Sequence, residues 1–196
     1  MASLLRIVLA SGSTYRRALL ERLGLPFEWA APGVDESEIP GESTTDTALR
    51  LAILKARAVA SRFPNAVVIG SDQVASCEGV RIGKPGNHAN AVKQLEFMSG
   101  KTALFETALA VLDATRNDVR SRVVPCRVTF RPLTRPVIET YLEREQPYDC
   151  AGSAKAEGLG IALIARIETD DPTALIGLPL IALTELLSAA GIPVIG

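Results

Sequence analysis

Two short apolar runs constrain the fold of this chain more than any other feature. Leu5 to Ala10, broken only by Arg6, and Ala66 to Ile69 are rich in leucine and β-branched residues and too short for helices. Runs of this kind read as strands buried on both faces, which need other elements packed against each side. The rest of the sequence supplies them. Ser13 or Thr14 caps a short helix through Leu23, stopped by Gly24. A second helix starts near Ser43–Thr45, carries Leu51, Ala52, Lys55 and Val59, and ends before Pro64; Asn87 caps a third, with Ala89, Val92, Leu95 and Met98 on one face and Gly100 closing it. Cys77-Glu78-Gly79 is a hairpin turn, and Thr102–Leu112 with Val119–Phe130 forms a second, antiparallel hairpin turned at Arg116-Asn117-Asp118. Thr134 caps a helix with Pro136 in its first turn and Pro147 at its end. A glycine-punctuated stretch from Asp149 to Gly160 precedes a strand at Ile161–Ile167, and a last helix runs from Pro179 to Ala190. The alternation predicts an α/β protein of mixed α+β character, with a mixed rather than doubly wound sheet. With no repeat or linker, residues 1–196 read as one domain.

Composition narrows the function. Apolar residues make up 47% and charged residues 22%, as in ordinary globular proteins, and the formal net charge is −1. A near-neutral chain lacks the field that drives binding to nucleic acid polymers, and nine aromatic residues are too few for a stacking platform. The four arginines Arg120, Arg122, Arg127 and Arg131 read as a solvated strand face. No run reaches the roughly 20 apolar residues of a membrane helix, and Arg6 interrupts the only stretch resembling a signal peptide. The three cysteines, Cys77, Cys126 and Cys150, read as reduced thiols of a cytoplasmic protein. One histidine, His88, removes His-based zinc sites and leaves no conventional Ser–His–Asp relay.

The start of the first helix reads either as an anion site or as a turn whose two arginines point into solvent. Arg16 and Arg17 fall in the first turn of the first helix, where the helix dipole disfavours a cation unless an anion binds there. Ser11, Ser13, the backbone N–H groups and the guanidinium forks would then converge on a phosphate chain. Asp72, just past a buried strand, is placed to hold a divalent metal or position a water, or else simply to cap its own turn. Glu36, in Val34-Asp35-Glu36, offers a second carboxylate, and the two together suit Mg²⁺ or Mn²⁺. Among the lysines, Lys55 in mid-helix reads as solvated, whereas Lys84 has its backbone set by Gly83 and Pro85.

Taken together these segments resemble the Maf family of nucleoside triphosphate pyrophosphatases across almost the whole chain. The resemblance is carried by Leu9-Ala10-Ser11-x-Ser13-x-x-Arg16, Val34-Asp35-Glu36, Leu51-Ala52-x-x-Lys55-Ala56 and Gly70-Ser71-Asp72-Gln73. Gly83-Lys84-Pro85, Met98-Ser99-Gly100, Ala151-Gly152-Ser153 with Glu157-Gly158, and Leu175-Ile176-Gly177-Leu178-Pro179 complete it. It implies an inosine-triphosphatase-like fold, with a long curved mixed sheet, two lobes flanking a cleft, and a homodimer. It also implies metal-dependent cleavage of a nucleoside triphosphate to the monophosphate and pyrophosphate, with Asp72 catalytic and, with Glu36, a metal ligand. Ser11, Ser13, Arg16, Lys55 and Lys84 would hold the triphosphate. Tyr15, Gln73 and Glu157 resemble the 7-methyl-GTP branch rather than the pyrimidine (dTTP/UTP) branch, so all three are expected at the base. A nucleotide-sensing role in cell division (septum) control is the rival that the same resemblance suggests. Thr107-Ala108 departs from the family's threonine–glycine, which predicts an altered loop there.

Overall fold

The computed structural model describes residues 6–195, so Leu5 of the first expected strand lies outside the described residues. Strand β1 (Arg6–Leu9) is followed by α1 (Thr14–Glu21), β2 (Phe27–Trp29), α2 (Thr44–Ala60), β3 (Ala66–Cys77), β4 (Val80–Ile82) and α3 (His88–Met98). Then come β5 (Thr102–Asp113), β6 (Asp118–Phe130), α4 (Arg135–Glu145), β7 (Ile164–Glu168) and α5 (Leu180–Ala189). The sheet has seven strands in the order β2-β1-β3-β5-β6-β7, with β4 paired to β3. It is mixed, as expected: β1 lies parallel to β2 and β3, whereas β3–β4 and β6–β7 are antiparallel.

Most elements follow from the residues that announced them. Ser43 and Asn87 accept hydrogen bonds from the Asp46 and Asn90 N–H groups at the starts of α2 and α3. Glu78 and Gly79 both adopt positive φ, which joins β3 to β4 through the expected tight hairpin. Pro136 occupies the first turn of α4 as expected, but Thr134, expected to cap it, makes no side-chain hydrogen bond there. Three further readings need correction. The three-residue β2 was not foreseen. The strand expected at Ile161 starts only at Ile164, because residues 159–163 coil into a 3₁₀ turn. Most consequentially, β3 does not stop at Ile69 but runs unbroken through Gly70-Ser71-Asp72-Gln73 to Cys77.

The chain divides into two compact units. The first comprises residues up to Gln73, Thr107–Val124 and the segment from Asp171 onward. Its core gathers Ile7 and Leu9 of β1, Leu19 and Leu20 of α1, Val67 and Ile69 of β3, and Leu183 and Leu187 of α5. These apolar faces recur at period 2 in the strands and near 3.6 in the helices, which is why they meet in one layer. The second unit comprises Val74–Glu106 and Pro125–Asp170, where α3 and α4 pack together through buried residues such as Leu95, Met98, Ile138 and Leu142. Arg120, Arg122, Arg127 and Arg131 are exposed, as expected.

Candidate active site

The first unit assembles the candidate site from β3 outward. Side chains alternate across a strand, so Gly70 and Asp72 share one face while Ser71 and Gln73 share the other. On the first face α2 lies almost against the backbone. A Cβ at Gly70 would sit 2.1 Å from the Ala52 carbonyl oxygen, so no larger residue fits without moving the helix. That approach brings Lys55 over Asp72. Lys55 occupies the buried stripe of α2 with Ala48, Leu51, Ala52, Ala56 and Val59, and its ammonium donates to Asp72 Oδ1 at 2.6 Å. The same Nζ meets Glu36 Oε2 at 2.9 Å. Lys55 and Asp72 are 5% and 7% exposed, and Glu36 closes the cluster from the exposed side. The expectation that Lys55 is solvated is therefore wrong. A lysine in an apolar stripe must find a carboxylate, and the stripe was readable in the sequence. Asp72 is likewise no turn residue; it lies inside β3, three residues past the last one paired with β1.

At the start of α1 the two serines do what their positions suggested. Ser11 Oγ accepts from the Ser13 N–H at 3.1 Å, and Ser13 Oγ caps the helix by accepting from the Arg16 N–H at 3.4 Å. Each hydroxyl keeps its own hydrogen to donate. The two arginines part company. Arg17 lies over the half-exposed Trp29 ring, 4.2 Å from its centroid, on a surface pocket away from the cluster. Arg16 turns inward, its Nε donating to the Gly177 carbonyl at 2.8 Å. Burial pulls the Arg16 guanidinium below the usual arginine value, opposed by the Asp72 and Glu36 carboxylates. Tyr15 is half-buried on the same turn.

The other face of β3 carries a fastening. Ser71 Oγ is within bonding distance of the carbonyls of Gly177 (3.0 Å) and Ala108 (2.8 Å). The Gln73 amide nitrogen faces Thr107 Oγ1 and the carbonyls of Ala174 and Leu175 at 2.9 to 3.1 Å. Its N–H groups are thus engaged by the protein, and Gln73 acts here as a tie to the 174–175 backbone rather than as a ready donor to a base. Thr107 and Ala108 lie within β5, not in an altered loop, and Thr107 Oγ1 donates to the Ala174 carbonyl.

Sequence reasoning missed Asp171. This aspartate is 2% exposed. Its Oδ1 accepts from the Thr173 N–H and hydroxyl, and its Oδ2 from the Ile181 and Ala182 N–H groups, while Thr173 Oγ1 accepts from the Leu180 N–H. Together they cap α5, whose N-cap residue, Pro179, has no side chain able to do so. An uncapped proline start preceded by Asp-x-Thr was the available signal.

Two candidates belong to the second unit. Lys84 is exposed, on a backbone pinned by Gln94 Nε2 donating to the Gly83 carbonyl, Asn90 Nδ2 to the Pro85 carbonyl, and the Gly86 N–H to the Tyr148 carbonyl. Glu157 is exposed on a turn held to α4: the Lys155 N–H donates to Tyr141 Oη, and the Leu159 N–H to Glu145 Oε2. His88 sits at the start of α3, bonded to Glu139 and Tyr148, and takes no part in the cluster.

Among the described residues no group of three or more His, Cys, Asp or Glu side chains is placed to hold a metal. Glu36 and Asp72, however, both reach one cation, the Lys55 ammonium, and are oxygen donors only. Mg²⁺ commonly uses one or two carboxylates and completes its shell with phosphate oxygens and water, so this pair fits it. No described helix is long and apolar enough to cross a membrane.

Comparison with known proteins agrees with the sequence resemblance. The chain is 58% identical to the 7-methyl-GTP pyrophosphatase of Polaromonas sp. over 95% of its own length and 85% of that protein. It is 56% identical to the protein of that name from Thiobacillus denitrificans over 96% and 94% of the two chains. For the one from Nitrosospira multiformis the figure is 52%, over 97% and 96%. The Staphylococcus aureus Ham1 structure aligns with 65% of this chain and 72% of its own at 18% identity and a TM-score of 0.46. The family match extends from residue 6 to residue 190, through every element from β1 to α5, and the chain belongs to the Maf-like protein family.

Proposed function

We propose that this protein hydrolyses a nucleoside triphosphate, 7-methyl-GTP, to the monophosphate and pyrophosphate. The observation that carries the reading is the convergence of Glu36, Lys55 and Asp72 in the unit that also turns Arg16 inward. Relatives at 52–58% identity named for that substrate support the choice of base.

At the phosphate end the geometry supports one sequence of events. The water oxygen forms a bond to the α-phosphorus, its proton passes to the Asp72 carboxylate, and the bond between the α-phosphorus and the bridging oxygen breaks to release pyrophosphate. Lys55 fixes the orientation of Asp72 by hydrogen bond and offsets negative charge as the leaving group develops. Ser11 and Ser13 donate their hydroxyl hydrogens to phosphate oxygens, and the Arg16 nitrogens other than Nε supply the guanidinium fork. Lys84 adds a cation from an exposed turn. Glu36 and Asp72 would hold Mg²⁺ or Mn²⁺, which when bound neutralises the phosphate chain.

The base end follows from chemistry. Ionised Glu157 has only acceptors, which match the N1–H and N2–H donors of guanine. The electron-rich face of Tyr15 suits the cationic ring that N7-methylation creates. The setting would be the cytoplasm, with the chain acting as a homodimer on a free nucleotide. A pyrophosphate-release screen of the purified protein on 7-methyl-GTP, GTP, UTP and dTTP, with Mg²⁺ and with Mn²⁺, tests the reading. Fastest release from 7-methyl-GTP is expected. A preference for UTP or dTTP moves the chain to the pyrimidine branch, and no release from any of them favours a nucleotide sensor.

A further inference from the structure

The Gly177 carbonyl is shared by two residues that matter to the proposed chemistry. It accepts from Arg16 Nε at 2.8 Å and lies 3.0 Å from Ser71 Oγ, the residue before Asp72. Gly177 has φ of 117°, and a Cβ there would stand 3.5 Å from Arg16 Nε, so the glycine backbone itself forms the seat of the guanidinium. What holds that seat is not in the cluster. Residues 173–178 are anchored at their start by Asp171 and Thr173 and at their end by α5, whose first N–H groups the same two side chains accept.

We infer that Asp171 is a positioning residue for Arg16: its buried carboxylate fastens the 173–178 segment to the start of α5, which places the Gly177 carbonyl that aims the guanidinium. A carboxylate at this spot serves both purposes at once. One oxygen shapes the turn at Thr173 and the other takes two N–H groups from the positive end of α5. Gln73 and Thr107 tie the middle of the segment through the Ala174 and Leu175 carbonyls, and Asp171 fixes the two ends between which Gly177 meets Arg16.

The inference rests on the proposed role of Arg16 in binding the triphosphate, and the experiment separates the two. Asp171→Asn keeps shape but leaves one oxygen for two sets of donors. It is expected to lower kcat/KM for 7-methyl-GTP roughly tenfold to a hundredfold, the range for a reacting partner displaced by about 1 Å. In an Arg16→Ala background the same substitution is expected to cost little, because its effect runs through Arg16. An equal loss in both backgrounds overturns the inference, since a general loosening would not depend on Arg16. The second readout needs no activity. In ¹⁵N spectra, the Arg16 Nε–H, assigned by its disappearance in Arg16→Lys, is expected to be slow to exchange and to lose that protection in Asp171→Asn. An unchanged signal overturns the inference even if the wild-type protein hydrolyses no triphosphate. Should Asp171→Asn fail to fold, Thr173→Val, which removes one cap and leaves the carboxylate, is read by the same two measurements with the same outcomes.

Discussion

In the first unit Lys55 and Asp72 are almost fully buried and bonded to each other, whereas in the second Lys84 and Glu157 stand exposed on turns of which only the backbone is pinned. The contrast separates two ways of presenting charge. A buried pair has already lost its water and keeps its geometry before any ligand arrives, at a cost in stability if either partner is removed. An exposed side chain on a rigid turn keeps its hydration and makes its contact only when a ligand displaces that water. The first arrangement suits a reacting centre, where preorganisation lowers the barrier. The second suits recognition, where the residue can change without endangering the fold.

The substitution expected to have the largest effect is Asp72→Asn. Turnover should fall roughly 10²–10⁴-fold, the range for a positioned acid–base group, with circular dichroism unchanged and nucleotide still bound. Near-normal turnover in the folded variant would move the reacting centre out of the buried pair.

The lysines sharpen the contrast directly. Lys55→Met leaves Asp72 buried without its cation and should cost about 3–5 kcal/mol in denaturant unfolding. Lys84→Met should change stability by no more than about 0.5 kcal/mol while raising KM for the triphosphate. Equal losses of stability would mean that burial does not distinguish the two sites.

A smaller effect is expected at the base. Glu157→Gln combined with Tyr15→Arg should reduce the preference for 7-methyl-GTP over GTP about two- to thirtyfold, the span of one cation–π contact, with the melting temperature unmoved. A preference that survives the pair would place base selection on other residues.

The smallest effect concerns the turn that carries Glu157. The Leu159 N–H and Lys155 hold the Glu145 carboxyl below the usual carboxylate range. A carboxyl lowered by folding stabilises fully above its ordinary value and loses that contribution as pH falls through the lowered one. Thermal melting from pH 6 down to pH 3 should therefore show a slightly shallower decline in Glu145→Gln than in the wild type. Identical slopes would mean that the turn holds without this carboxylate.

Much of the fold was legible because its elements announce themselves locally. Ser43, Asn87 and the Glu78-Gly79 turn did as their chemistry requires. Parts of the site were not legible because its polar residues are satisfied only by distant partners. Gly70-Ser71-Asp72-Gln73 reads as a strand end, since small polar residues normally mark one. Here each finds an answer elsewhere in the first unit: the α2 backbone for Gly70, the Gly177 carbonyl for Ser71, Lys55 for Asp72 and the 174–175 backbone for Gln73. Lys55 was misjudged for the same reason, although its place in an apolar stripe was visible. Asp171 was passed over because its partners lie up to eleven residues further on, across a proline.

That Asp72 stands inside a twelve-residue strand, continuous with the stretch that pairs with β1, has a consequence for how this protein fails. Residues on surface loops escape their geometry by local fluctuations that cost little free energy, so loop-borne sites often fade well before the fold does. A side chain carried within a strand has fewer such routes, because the sheet holds the strand on which it stands. Amide exchange at residues 66–69, where β3 pairs with β1, should accordingly rank with the slowest in the chain, and heat should extinguish hydrolysis and the folded signal at the same temperature, in a single step.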